Sequence, residues 1–169
     1  MLRRLRETGP ALLVPLAWTF ATLAHLEVAS THTVRVGMLV MDVLLVAFTV
    51  LSWQDMQEGV LLAWKVVLVV GTALNLLGTV ALFTDPVSTT LAAVTVVGWM
   101  LVPAGGYVYT GLHVDRKPQV YLAGAGLSLL GAILYIVPAL VGGLDTALSG
   151  FALVGIGQTG GILAAVVSY

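Results

Sequence analysis

No cysteine occurs in this chain. That absence excludes disulfides, thiolate metal sites and thiol nucleophiles together, and it removes the usual marker of redox compartment. Charge is nearly as scarce. Only 9% of the 169 residues are charged, against roughly a quarter in an average soluble domain. The net charge of −1 comes without clustered Lys and Arg, which argues against nucleic acid as a partner, because phosphate binding needs such clusters. Catalytic signatures are missing as well. There is no Gly-x-Ser-x-Gly elbow, no phosphate-binding Walker loop, no dinucleotide fingerprint and no paired-aspartate motif. No catalytic residue or metal ligand set is assigned.

What fills the chain is apolar. Hydrophobic residues make up 59% of it, and the mean hydropathy is +1.05. A chain of this composition has lipid as its solvent. A span needs about 20 residues to cross a hydrocarbon core about 30 Å thick, so six spans with short connections account for the whole length. Helices are the expected form: the apolar runs exceed 20 residues, whereas barrel strands would alternate over about 10. The fold class is therefore all-α, a polytopic membrane bundle of six helices in one domain, with spans near 10–30, 33–53, 59–83, 87–112, 119–141 and 146–168. The basic segment Met1–Glu7 ahead of an apolar run resembles a signal peptide. No small-x-small cleavage site follows it, so it reads as a retained first helix. The breaks between spans, such as Thr84-Asp85-Pro86 and Gly142-Gly143-Leu144-Asp145, carry ordinary turn chemistry.

Arg3, Arg4 and Arg6 precede the first span, and Arg116 and Lys117 follow the fourth. With six spans these fall on one side, leaving only Arg35 opposite. The positive-inside rule then places both ends in the cytoplasm, with the cell membrane as the location and lipid as the first partner. Abundant Ala, Val and Gly, with Arg exceeding Lys, hint at a prokaryotic source. Asn75-Leu76-Leu77-Gly78-Thr79-Val80 echoes Ser128-Leu129-Leu130-Gly131-Ala132-Ile133, as a duplicated hairpin would. Small residues recur at helical spacing, Gly124/Ser128/Gly131 on the fifth span and Gly150/Gly157/Gly161 on the sixth. Such faces allow close helix packing within the bundle, in a homo-oligomer or against a membrane partner.

A few polar groups stand inside the spans, and these are the candidate site. Asp42 lies about 12 Å down the second helix. An ionised carboxylate near mid-bilayer costs about 2.5–3.5 kcal/mol even on the lenient insertion scale, so Asp42 must face protein or water. Folding the first two spans into a hairpin sets it across from Thr22. His25, Glu27, His32, Arg35 and Asp42 then form an expected cluster toward one end, either a proton- or cation-binding vestibule or an Arg35–Asp42 pair that fixes the hairpin. Lys65 is expected to extend toward the headgroups or to pair with Glu58. Pro103, followed by Gly105 and Gly106, is expected to bend or interrupt the fourth span and to leave the Trp99 carbonyl without its intrahelical donor. Pro15 and Pro138 should kink their helices in the same way. Asn75, Gln158 and Thr159 lie mid-span, as interhelical bonds or the lining of a polar cavity. His25 and His113 fall at opposite ends of the bundle, so they do not sandwich one haem. No cofactor is specified by these residues. Three functions fit: a site for binding or transporting a proton, ion or small ligand; a non-catalytic scaffold or accessory subunit; and a haem- or lipid-binding membrane protein.

Overall fold

The computed structural model describes residues 2–142 and 145–168 of the chain. It is all helical, with six helices in sequence order: α1 (Leu2–His25), α2 (Thr31–Ser52), α3 (Gly59–Phe83), α4 (Thr89–His113), α5 (Pro118–Val141) and α6 (Ala147–Ser168). Five of them, α2 to α6, are long and apolar enough to cross a membrane. The first, α1, is not among these. It begins well before Pro10, and its first turns hold Arg3, Arg4, Arg6 and Glu7.

Local chemistry sets the ends. Ser30 caps α2, its hydroxyl accepting from the Thr33 amide at 3.2 Å, and Ser88 caps α4 in the same way through Leu91. These caps satisfy donors that a helix start leaves unpaired. Pro118 opens α5 at a position where its missing N–H is not needed. Gly142 closes α5 with φ +71°, a backbone conformation that costs glycine little. The turn at Gly143 and Leu144 lies outside the described residues.

In space the helices stand in the order α2–α3–α4–α5–α6–α1. Thus α1 packs on α6 and touches α2 only slightly, which overturns the expected first hairpin. The closest joint is α5 against α6. A Cβ on Gly124 would lie 2.7 Å from the Gly157 carbonyl oxygen, and one on Gly131 would lie 2.6 Å from that of Gly150. The two small-residue faces read in the sequence are therefore used against each other within the chain. Where α1, α4, α5 and α6 converge, Trp18, Met100, Ala132, Phe151 and Val154 form a buried core.

Pro15, Pro103 and Pro138 all lie inside unbroken helices, so the expected interruption of α4 does not occur. The carbonyls that two of these prolines deprive of a donor are satisfied from α6 or just ahead of it. The Trp99 carbonyl, four residues before Pro103, accepts from Gln158 Nε2 at 3.0 Å. The Leu134 carbonyl, four before Pro138, accepts from the Thr146 hydroxyl at 2.6 Å.

Candidate functional site

Two polar centres lie inside the bundle. The first joins α2 to α3. Asp42 is 7% exposed and stands eleven residues beyond Thr31, about 16 Å along the helix axis. That is deeper than the sequence suggested, because α2 starts earlier. One carboxylate oxygen accepts from Asn75 Nδ2 at 2.7 Å and the other from the Thr79 hydroxyl at 2.7 Å. Asn75 Nδ2 also reaches the Met38 carbonyl at 3.3 Å. Two acceptors thus fix which end of the amide faces α2, since the amide oxygen cannot donate to either. Asn75 and Thr79 lie four residues apart on one face of α3, with Gly78 between them. A Cβ on Gly78 would come within 2.8 Å of Met38 Cε, so the glycine permits the close approach of α2.

Among the described residues no cation shares this centre. Arg35, expected to pair with Asp42, donates instead from Nε to the Leu82 carbonyl at 2.8 Å and lies over the Phe83 ring, 5.2 Å from its centroid. His25, at the end of α1, packs against Phe151 and Tyr135 with ring centroids 5.2 and 6.3 Å away, on the α5–α6 side. Glu27 is exposed in the α1–α2 turn with φ +57°, and His32 is exposed at the start of α2. The expected vestibule is not assembled. It rested on an α1–α2 hairpin, and α1 lies against α6 instead. Of its members only Asp42 is buried. Among the described residues no group of three His, Asp or Glu side chains is placed to hold a metal ion.

The second centre joins α1, α4 and α6 around Gln158, which is 4% exposed. Its Nε2 donates to the Trp99 carbonyl, as above, while its Oε1 accepts from the Trp18 indole N–H at 3.0 Å. The Tyr107 hydroxyl donates to the backbone carbonyl of Gln158 at 2.7 Å. Below it Tyr107 packs edge-on to Trp64, 5.0 Å between centroids, and stacks on Tyr121. The Trp64 indole N–H donates to the Thr110 hydroxyl at 3.0 Å. Sequence reasoning singled out Trp99 and Gln158 separately; the structure joins them. It missed Trp18 and Tyr107, whose only signal was a polar tip on an aromatic ring inside an apolar run. Trp99 also links the two centres. Its ring covers Gly71 of α3, where a Cβ would lie 2.6 Å from it, one helical turn from Asn75.

Lys65 is 8% exposed. Its ammonium rests on the Trp53 ring, 4.5 Å from the centroid. The lysine therefore extends toward the α2–α3 turn as expected, but its partner is an aromatic face rather than Glu58.

Chemically the two centres differ. The Gln158 centre is built from neutral groups that satisfy one another, and it holds helices together. The Asp42 centre holds a titratable group. No family model, curated protein or solved structure matches this chain.

Proposed function

We propose that this chain is a small integral membrane protein that binds and releases a proton at Asp42, as the working step of a binding or transport cycle. One observation carries this reading: a carboxyl group buried midway along a membrane-length helix, with neutral donors on both oxygens and, among the described residues, no cation beside it. Intramembrane carboxyl groups without a counter-ion are costly when ionised and are retained where they serve a proton or ion.

The arrangement suits both protonation states. With Asp42 ionised, Asn75 and Thr79 each donate to one oxygen. With Asp42 protonated, the acid O–H donates to the Thr79 hydroxyl, which accepts as readily as it donates. Asn75 keeps its bond to the other oxygen. The proton thus arrives and leaves with one hydroxyl rotation and no rearrangement of helices.

In this reading α1 spans the membrane with the other five, and both ends of the chain lie on the cytoplasmic side. Arg116 and Lys117 lie in the α4–α5 turn, at the end of the bundle where α1 starts.

A structural role for Asp42, pinning the peripheral helix α2, is the competing reading. Asp42→Asn separates the two. An asparagine there still accepts from Asn75 and donates to Thr79, so both interhelical bonds survive and only the proton is lost. In protein reconstituted into liposomes, infrared titration should show a protonated-carboxyl band that grows as pH falls and is missing in Asp42→Asn. The variant should keep wild-type thermal stability. A wild-type protein with no titrating buried carboxyl, or an unchanged band in the variant, would overturn the proposal.

A further inference from the structure

The α2–α3 contact has a definite register. Arg35 meets Leu82, Met38 meets Asn75, Asp42 meets Asn75 and Thr79, and Trp53 meets Lys65. Each step forward on α2 matches a step back on α3. The same register sets Thr49 level with Leu68 and Ser52 level with Lys65. On α2, Asp42, Leu45, Thr49 and Ser52 share one stripe, at the i, i+3, i+7, i+10 spacing of a helix face. Asp42, Leu45 and Ser52 are buried.

Polar groups along this seam are satisfied unevenly. From Asp42 toward Arg35 they have partners: Asn75, Thr79 and the Arg35 Nε each make a hydrogen bond. Toward Lys65 the pattern breaks at Thr49. The Thr49 hydroxyl is enclosed and, among the described residues, has no hydrogen-bond partner. The Lys65 ammonium, which carries three donors, rests on the Trp53 ring. A buried polar group without a protein partner is costly unless water completes its bonding. One such group, the Thr49 hydroxyl, stands on this seam between the buried carboxyl and Lys65. Among the described residues Arg35 and Lys65 are charged groups at the two ends of the seam, and Asp55 and Glu58 lie in the turn at the Lys65 end. From α4, Thr95 approaches Gly78, and it is neutral.

We propose that the α2–α3 seam between Lys65 and Asp42 is a hydrated inlet, open at the Lys65 end, through which water delivers the proton to Asp42. Lys65 and Thr49 bind the outer waters. Leu45 is the apolar rung next to Asp42 and separates the waters from the carboxyl between transfers. In the transfer itself a hydronium gives its proton to the Asp42 carboxylate and is left as water. The inlet deepens the reading of Asp42 as the proton-accepting group, but its test does not depend on that reading.

Because the chain has no cysteine, single thiols report without background. Leu68, level with Thr49, lies nine residues beyond Gly59, about 13 Å along α3. Val50 stands beside Thr49 at nearly the same depth, on the outer face and 67% exposed. In reconstituted protein, Thr49→Cys and Val50→Cys are each treated with a small hydrophilic methanethiosulfonate. The reagent attacks only the thiolate, which forms in water and not in lipid, so Thr49→Cys should react at least about tenfold faster than Val50→Cys. Equal rates, fast or slow, would overturn the inlet, since they would mean that depth alone sets access or that the seam is dry. Thr49→Val provides a second reading that needs no labelling. In a dry seam, removing an unpartnered hydroxyl at constant shape raises thermal stability; in a hydrated one, stability stays level or falls. Thiol access at Thr49 together with no titration of Asp42 would leave the inlet standing and remove the proton-binding role.

Discussion

At the scale of the residue, Gln158 shows how this protein manages polar groups in an apolar medium. Proline in a helix removes one N–H, and the carbonyl a turn earlier must find another donor. Gln158 supplies it, and the Trp18 indole supplies what Gln158 itself then lacks. Gln158→Leu should strand both the Trp99 carbonyl and the Trp18 N–H, at about 1–3 kcal/mol for each group left unpaired, and Trp18→Phe should strand only one acceptor. The double variant should lose less than the sum of the two singles, because the groups form one network. Thermal unfolding of the three variants in detergent checks this; strict additivity would mean that the network is not coupled. Part of it was legible in advance. A proline in an apolar run marks its own orphan carbonyl, and a mid-span glutamine marks a need for partners. Their meeting was not legible, because it depends on which helices are neighbours, and no local pattern encodes that. Asp42 gives the same lesson. Its burial followed from the cost of a carboxylate in lipid. Its partners were misread because consecutive helices α1 and α2 were assumed to pack together.

At the scale of the element, glycine on α5 serves opposite roles two residues apart. Gly124 faces the Gly157 carbonyl at a distance that no Cβ tolerates, while a Cβ on Gly126 would meet nothing within 4 Å. Gly124→Ala should therefore destabilise the protein by about 1–3 kcal/mol through overpacking against backbone that has no slack. Gly126→Ala should stabilise it by about 0.5–1 kcal/mol, since alanine loses less backbone freedom in a helix. Opposite shifts in melting temperature are expected. Shifts of the same sign would mean that α5 does not contact α6 through Gly124. The helices themselves were readable because their causes are local: long apolar runs, hydroxyl caps at Ser30 and Ser88, and turn residues between. The start of α1 was not, since the charged residues ahead of Pro10 continue the helix although they contribute nothing apolar.

At the scale of the whole molecule, six helices joined by short turns bring the beginning of α1 and the end of α6 to the same end of the bundle. Reporter fusions at the two ends of this chain should therefore report the same side of the membrane. Opposite sides would mean that α1, the least apolar of the six, does not cross. The class of the protein was visible in composition alone. The order of its helices was not, because the α1–α6 contact links residues far apart in sequence, such as Trp18 and Gln158.

That order also has a consequence for biosynthesis. The helix that α1 packs against leaves the ribosome after the five others. At about 5–20 residues per second, the interval between Trp18 and Gln158 is on the order of ten seconds. Throughout it α1 has no neighbour to bond its indole N–H, and only slight contact with the helix that follows it. A nascent chain halted before α6 would hold a marginally apolar helix with an unsatisfied polar face, a mark by which membrane quality control can tell an unfinished molecule from a finished one.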